Sequence, residues 1–487
     1  MNRTVTRHQL SSHRNDPLMQ MRRVPFGEYL SAIIFLCIGV IGYYQMLPNY
    51  WLAIAMLACI VQRIYFRIDH ALIILEIAGL IAILQCIIGP LLMYRSSFVH
   101  HRYFMYVDAH TYFSFAVPGI AAFVAVLCLP VAGNANAGLQ IRDSKQMDRL
   151  GWFLFAIALA GTVGSYIGLG FFGYLLAQFK YVAAICLFMS NNRFRWPVLL
   201  AVLFSGYLNA AQHAMFHELL IWGTFVGSFV FLNKKRSHAL KITVFASALI
   251  AILTIQGVKA EYREALADGK SPNLMGSLLD VLWSLESVYA NQDFQQVAIA
   301  RLNQGWIVSR VMQYVPDHEP YVEGETISTA LAASFTPRFL NSKKEGAGGR
   351  ANFIRFTGLK LHGATTMCIG TLGEAYANFG KDGGILVMLV LGGVLNKAFA
   401  CFVNLGKFNG YFLLCLPLVF LQVIKSETEL IVVVNHLVKS ILVVSLLYFI
   451  LPRAFGSKHQ SKRVKSKRHP SRKIWRPEVS PAAMAKR

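Results

Sequence analysis

Residues 71–94 read ALIILEIAGLIAILQCIIGPLLMY and contain a single ionisable side chain, Glu76. A second run, residues 430–451, reads LIVVVNHLVKSILVVSLLYFIL and contains two, His436 and Lys439. As a helix, either run is long enough to cross a hydrocarbon core of about 30 Å. Neither has the polar face that a helix in a soluble protein shows. The two runs therefore predict an integral membrane protein built from spanning helices.

The overall composition agrees with this class. Hydrophobic residues make up 55% of the 487 residues and charged residues only 15%, whereas soluble domains carry about 25% charged residues. Apolar runs recur along the chain and predict an all-α polytopic protein with about twelve transmembrane helices, at residues 28–47, 49–66, 71–94, 112–132, 150–173, 176–191, 196–212, 216–232, 239–257, 384–404, 410–425 and 430–451.

The basic residues predict the orientation of these spans. Arg and Lys clusters fall in alternate connecting segments, on the same side as both chain ends, which is the bias of cytoplasmic loops. Both termini are therefore expected in the cytoplasm, and the first apolar run is not followed by a signal-cleavage site. This divides the chain into a basic arm (1–25), a block of about nine spans (26–257), a large external loop (258–383), about three further spans (384–451) and a basic tail (452–487).

The large loop is expected to be folded and mostly helical. Structureless loops of more than about 15 residues are uncommon, and this one is rich in Trp, Tyr and Phe, unlike a disordered segment. Helical spacing predicts helices over 274–290 and 296–314, the second with a break at Gly305. The loop is acidic up to residue 325 and basic between Arg338 and Lys360.

The net charge of +23 does not indicate a nucleic-acid partner. Much of it lies in the tail that follows the last span, where it suits orientation and anionic lipid headgroups. The eight cysteines lie mostly in apolar runs and predict no disulfide framework. No Cys/His spacing indicates zinc, and no nucleotide-binding or hydrolase motif is present. No metal and no cofactor are expected.

A basic cluster in the loop suits a phosphate ligand. Arg guanidinium groups bind phosphate through two N–H donors, Lys supplies a point charge, and glycines let the backbone approach closely. The alternative is a solvated basic loop near lipid headgroups. The cluster surrounds the sequence Gly-Ala-Gly-Gly at 346–349 and comprises Arg338, Lys343, Lys344, Arg350 and Arg355.

Three residues are candidates for a general base. Glu374 stands beside the start of a span, where a carboxylate is costly unless it is paired or functional; a structural ion pair is the alternative reading. Glu323 belongs to an acidic run that could equally be a hydrated turn, and His362 is a lone loop histidine. Ionisable residues inside the spans are expected to pair or line a polar cavity; they are Glu76, Lys397, His436 and Lys439.

Two segments resemble the O-antigen polymerase family, the Wzy-type oligosaccharide repeat-unit polymerases. Residues 370–380, GTLGEAYANFG, are similar to the family's G-E-x-Y-x-N-F-G segment before a span. Pro337-Arg338-Phe339-Leu340 followed by Lys343 is similar to an upstream Pro-Arg…Lys stretch. The order of spans, one large periplasmic loop and a few more spans also agrees with the family.

The resemblance implies a C-type membrane glycosyltransferase of the bacterial inner membrane. It would polymerise undecaprenyl-diphosphate-linked oligosaccharide repeat units into O-antigen or exopolysaccharide at the periplasmic face, with a chain-length regulator as an additional partner. Glu374, Glu323 or His362 would be the base. Residues expected to bind the diphosphate or sugar are Arg301, Arg310, Arg338, Lys343, Lys344, Arg350, Tyr376 and Asn378.

Two other functions stay open. An O-antigen ligase has the same layout and the same donor, but transfers the glycan to the lipid A core. A polysaccharide or lipid transporter without catalysis would belong to a different class. Transporters often carry internal repeats, which are not evident in this chain, and seldom need so long a loop.

Overall fold

A computed structural model describes residues 27–96, 103–131, 144–213, 216–232, 236–267, 273–336, 349–363 and 365–450. Within these ranges the chain is helical and has no β-strand. Eight helical segments are long and apolar enough to cross a membrane. The prediction of an all-α polytopic membrane protein is therefore confirmed at this level.

The first block of helices precedes residue 268 and follows most of the predicted apolar runs. The predicted span at 150–173 is divided, because one helix extends over Ser144–Tyr166 and another begins at Gly170. A π-helical turn at Leu84–Ile88 joins α3 to α4, so that the two form one segment. The helices are α1 (Gly27–Tyr43), α2 (Asn49–Arg67), α3 (Ile74–Ile83), α4 (Gly89–Arg95), α5 (Ala109–Leu127), α6 (Ser144–Tyr166), α7 (Gly170–Ala177), α8 (Phe179–Met189), α9 (Arg195–His213), α10 (His217–Phe231) and α11 (His238–Ala267).

The second block contains the helices of the large loop and the last spans. The predicted helices over 274–290 and 296–314 each occur in two pieces, and the second is broken immediately before Gly305. The helices are α12 (Leu274–Trp283), α13 (Leu285–Ala290), α14 (Gln292–Leu302), α15 (Gly305–Tyr314), α16 (Glu325–Phe335), α17 (Arg350–Thr357), α18 (Gly370–Phe408), α19 (Tyr411–Val419) and α20 (Leu430–Ile450).

Four of the twelve predicted spans are not among the eight. Helices α1, α9, α10 and α19 occupy their positions, but they are too short or insufficiently apolar to qualify by the same measure. Helix α19 has nine residues and extends only about 14 Å. The total of twelve spans stays a prediction.

Helix α5 lies at the centre of the bundle. In its most apolar stretch 83% of the residues are buried, against 11% in α11. Neighbouring helices approach α5 through small residues: Gly39 of α1 faces Ala121, and a side chain on Gly392 of α18 would clash with the backbone of Phe123. Small residues at such contacts allow the close packing that holds membrane helices together.

A second, smaller core caps one end of the bundle. We call the capping layer the set formed by α15, α17, residues 103–106 and the first part of α18. Its buried side chains are Trp306, Ile307, Val311, Val315, Phe353, Phe356, Ile369 and Ala377. The large loop is therefore anchored by an apolar core of its own, which rests on the ends of the membrane helices.

Helix α18 connects the capping layer to the bundle and is kinked at Gly380. This residue has φ 67° and ψ −157°, a conformation that is essentially confined to glycine. A Cβ atom there would lie 3.0 Å from the ring of Tyr321. The helix crosses the predicted loop boundary at residue 383, and α11 likewise continues past residue 257 to Ala267.

Candidate functional site

Two buried carboxylates join the capping layer to the membrane helices. Glu374 of α18 is 1% exposed, and its Oε2 accepts a hydrogen bond of 2.8 Å from the N–H of Leu430, the first residue of α20. Glu429 accepts bonds from Asn352 of α17 (2.9 Å) and from the N–H of Ile369 (3.4 Å). A carboxylate at a helix N-terminus is stabilised by the helix dipole. We call Glu374 and Glu429 the carboxylate knot.

Asn378 fastens the segment before α16 to α18. Its Oδ1 accepts from the N–H of Gly324 (2.9 Å), while Nδ2 donates to Thr326 Oγ1 and to the carbonyl of Glu374, both at 2.7 Å. The N–H of Glu323 donates to the Asn378 carbonyl at 3.0 Å. One amide therefore satisfies three partners and brings Glu323 beside α18.

Arg310 of α15 lies between two aromatic rings. Its guanidinium carbon is 5.0 Å from the ring centre of Tyr106 and 5.3 Å from that of Tyr314, within the range of a cation–π contact. Nε donates to the carbonyl of Thr357 (2.7 Å) and Nη1 to Gln313 Oε1 (2.5 Å). Within the described residues, Nη2 takes part in no hydrogen bond.

The stacking around Arg310 continues on both sides. Phe104 lies 4.3 Å from Tyr106, and His318 stacks on Tyr314 at 4.7 Å with an interplanar angle of 11°. Burial raises the pKa of the Tyr106 hydroxyl, and the adjacent guanidinium opposes this rise. We call Phe104, Tyr106, Arg310, Tyr314 and His318 the aromatic column. It is partly exposed along its length.

Arg350, at the start of α17, organises the turn that carries His362. Nη1 donates to the carbonyls of Gly363 (2.8 Å) and Thr365 (2.7 Å), and Nη2 donates to that of Leu361 (2.6 Å). His362 itself is exposed. Arg350 therefore holds His362 at the surface of the capping layer through the backbone on either side of it.

Arg355, on the same helix, is already paired. Nε donates to Glu319 at 2.6 Å and Nη1 to Glu325 at 2.9 Å. The hydrogen bond from Arg355 lowers the pKa of Glu325 and raises that of the guanidinium. This arginine is therefore less available to a ligand than Arg310.

The π-helical turn is the contact between the α3–α4 segment and the large loop. A π turn leaves backbone carbonyls without their usual partners. Here the carbonyl of Gln85 accepts from the N–H of Gln304 (3.1 Å) and that of Cys86 from the hydroxyl of Tyr112 (2.8 Å). Gly89 lies against the backbone of Asn303. The break between α14 and α15 therefore packs directly on the α3–α4 segment.

A cavity beneath the capping layer is small. Its volume is about 20 Å³, and its polar residues are Thr371, Lys425 and Ser426, beside mostly apolar walls that include Cys86 and Met388. Such a volume holds about one water molecule. This cavity is therefore too small for a sugar ring.

The predicted site residues divide into three groups. Glu323, Glu374, Tyr376 and Asn378 meet where α18 enters the bundle; Tyr376 packs edge-on against Phe115 at 5.1 Å. Arg310 and Arg350 belong to the capping layer, His362 lies in the turn that follows α17, and Arg301 lies half-buried at the end of α14. Arg338, Lys343 and Lys344 lie outside the described residues.

Sequence reasoning did not identify Glu429. It stands immediately before the apolar run 430–451, and an acidic residue before a helix is a capping signal.

Glu76, which was expected to pair, lies 3.2 Å from Arg63 Nε and 3.0 Å from Arg67 Nε. The second contact is close in distance but is not aligned as a hydrogen bond.

No metal site is formed by the residues that the structure describes: no group of three or more His, Cys, Asp or Glu side chains is placed to bind an ion.

Comparisons with protein-family models, curated proteins and solved structures found no match.

Proposed function

We propose that this protein is a membrane glycosyltransferase that polymerises undecaprenyl-diphosphate-linked oligosaccharide repeat units at the periplasmic face of the bacterial inner membrane. The product would be an O-antigen or an exopolysaccharide. The observation that carries the proposal is the partly exposed Arg310 of the capping layer, whose guanidinium contacts the rings of Tyr106 and Tyr314. The diphosphate of a lipid-linked substrate would bind beside it.

The charges of the capping layer suit the leaving group. Nε and Nη1 of Arg310 form hydrogen bonds, whereas Nη2 forms none with the described residues. Guanidinium groups bind diphosphate oxygens strongly. Arg350 flanks the end of segment 337–348, which carries the predicted ligands Arg338, Lys343 and Lys344. Cations at this place would stabilise the negative charge that develops as the diphosphate leaves.

The aromatic column suits the glycan. Sugar rings present apolar C–H faces that pack on aromatic rings, and the polar tips of Tyr106, Tyr314 and His318 can hydrogen-bond to hydroxyl groups. The column contains Arg310, so that sugar and diphosphate sites would be adjacent.

The reaction itself exchanges one bond to the anomeric carbon of the growing chain. A hydroxyl oxygen of the incoming unit attacks this carbon, its proton passes to a base, and the bond to the phosphate oxygen breaks. Undecaprenyl diphosphate leaves with the electron pair. Of the predicted bases, Glu323 and His362 are exposed, whereas Glu374 is buried and hydrogen-bonded to Leu430. We therefore assign Glu374 to positioning and favour Glu323 or His362 as base.

The direct test is chain lengthening by the purified protein supplied with lipid-linked repeat units. Arg310→Gln should lower the rate about 10- to 100-fold, because a hydrogen bond to a charged group contributes about 1.5–3 kcal/mol. Arg355→Gln is the matched control, because its guanidinium is held by two carboxylates, and it should keep most of the activity. Both variants must reach wild-type levels in the membrane. Equal activity of Arg310→Gln and wild type would remove the diphosphate role.

An O-antigen ligase is separated from this proposal by the acceptor. Transfer to a lipid A core acceptor without lengthening of the glycan would establish a ligase. In cells, loss of a polymerase leaves single repeat units on the core, whereas loss of a ligase leaves none.

A transporter is the second candidate, favoured by the region after α19. Residues 420–429 are non-helical, half of them are buried and none is exposed, and they include Lys425 and Glu429. Broken helices with buried polar groups at membrane depth are typical of transporters. Movement of intact lipid-linked glycan across a vesicle membrane, with no lengthening under the same conditions, would support this candidate against the polymerase.

A further inference from the structure

Helix α12 has two apolar faces, and only one of them is covered by protein. Leu274, Leu278 and Val281 pack into a small core with α9, α10 and α11. A second stripe, at helical spacing, is exposed and comprises Met275, Leu279, Leu282 and Trp283. We call these four residues the exposed stripe.

The remaining face of α12 is polar. Asp280 is exposed and Ser277 is partly exposed, and at about 100° per residue both lie on the side away from the stripe. Asn273 caps the helix by accepting a hydrogen bond from the N–H of Gly276 at 3.2 Å. A helix with a covered apolar face, an open apolar face and a polar face is suited to a boundary between lipid and water.

The neighbours of α12 place it at such a boundary. Its core partners come from the last turns of α9, the beginning of α10 and three residues of α11, which are Ile255, Val258 and Tyr262. The apolar spanning stretch of α11, His238–Ile255, ends at this level. That stretch is itself mostly exposed, through Leu249, Ile250 and Ile252 among others, and it faces lipid. The exposed stripe continues this lipid-facing surface at the end of the span.

The exposure of Trp283 is the strongest indication that lipid covers the exposed stripe. Its side chain is 85% exposed at the C-terminal end of α12, although a tryptophan usually buries most of its surface. Tryptophan is enriched at both membrane–water interfaces, where an apolar ring with one polar N–H is well accommodated.

We propose that α12 is an interfacial helix that inserts its exposed stripe into the lipid bilayer at the end of α11. The inference does not depend on the proposed glycosyltransferase activity. It assigns the first helix of the large loop to the membrane surface, so that this part of the loop is tethered independently of the carboxylate knot.

The test is depth-dependent quenching of tryptophan fluorescence in nanodiscs, whose two faces are both accessible to aqueous quenchers. Subtracting the emission of Trp283→Phe from that of wild type isolates the Trp283 signal. We expect this signal to be blue-shifted, to lose most of its intensity with lipids brominated near the headgroup, and to be shielded from iodide. Trp306→Phe is the matched control, because Trp306 is buried in the capping layer and should be quenched by neither agent.

Two results would overturn the proposal. Quenching of Trp283 by iodide, with no effect of brominated lipid, would place the stripe in water. Protection from both quenchers would mean that protein, such as a second copy of the chain, covers the stripe. A Leu279→Asp variant gives an independent measurement: it should shift the Trp283 emission to longer wavelength in nanodiscs while the Trp306 signal stays unchanged.

Discussion

Buried carboxylates occur in two clusters of this molecule, and the two clusters are stabilised in different ways. In the first, Glu76 of α3 lies beside Arg63 and Arg67, and Glu28 contacts Arg67 as well. We call these four residues the arginine network. In the second, the carboxylate knot, Glu374 and Glu429 accept hydrogen bonds from N–H groups.

The two clusters differ in how well they tolerate the loss of one charged side chain. In the arginine network two positive and two negative charges compensate each other, so removing one charge leaves the others buried without balance. In the carboxylate knot, backbone N–H groups at the start of α20 and before α18 stabilise the carboxylates, and these groups are polar but uncharged. The first arrangement is suited to holding spans together, and the second to coupling the capping layer to the bundle.

The largest expected effect is on the arginine network. Glu76→Ala leaves Arg63 and Arg67 in a low-dielectric interior, and breaking a buried ion pair in this way costs about 3–5 kcal/mol. We expect a large drop in the amount of folded protein recovered from membranes and a lower thermal midpoint. Glu28→Ala is the control, because this more exposed residue should have a smaller effect. Wild-type stability of Glu76→Ala would contradict the interpretation.

A smaller effect is expected at the carboxylate knot. Glu429→Ala leaves the N–H of Ile369 and the Asn352 amide without this acceptor, a cost of about 1–3 kcal/mol for each unsatisfied group. The neighbouring Cys368 reports on the change: burial raises the pKa of its thiol to about 12, so it reacts slowly at neutral pH. We expect faster alkylation of Cys368 in Glu429→Ala, measured by mass spectrometry.

The control for this experiment is Glu427→Ala. It also removes a nearby negative charge that raises the pKa of Cys368, but it leaves the bond from Ile369 to Glu429 in place. If both variants increase the alkylation rate equally, the effect on Cys368 is electrostatic. The hydrogen bond from Ile369 to Glu429 would then not limit access to the thiol.

The smallest expected effect is a pH dependence of the surface pair Glu325–Arg355. The pKa of Glu325 is lowered in the folded protein from an ordinary value of about 4.5. Its contribution is therefore complete above about pH 4.5 and is lost as pH falls through the lower, folded value. Because exposed ion pairs contribute only about 0–1 kcal/mol, Glu325→Gln should remove a shallow acid-dependent part of the stability curve. Coincident curves for wild type and variant between pH 7 and pH 3 would exclude this contribution.

Several elements of the fold could be predicted from sequence alone. The runs at 71–94 and 430–451 contain helices that are long and apolar enough to span a membrane, Ile74–Arg95 and Leu430–Phe449. The break before Gly305 agrees with the helix-breaking tendency of this glycine. These features follow from local properties: the length of an apolar run and the helix-breaking tendency of glycine. The number of spans was less predictable, because short or polar helices such as α9 and α19 occupy positions between clear spans.

The residues of the candidate site could be predicted from the sequence only in part. Glu374 and Asn378 stood out because they are polar residues beside a span. The sequence did not indicate that Glu374 would bond to Leu430, 56 residues further along the chain, or that Arg310 would lie between Tyr106 and Tyr314. No periodicity connects these positions.

By itself, the sequence determined the class of this protein, because the hydrocarbon core requires helices of a certain length and apolarity whatever they pack against. It also determined where the charges are concentrated. Only the tertiary structure decided which of the polar groups meet. The partners of Glu76, Glu374 and Arg310 come from distant parts of the chain, and their contacts arise from the packing of helices on one another. The burial that makes these contacts necessary is a property of the assembled bundle.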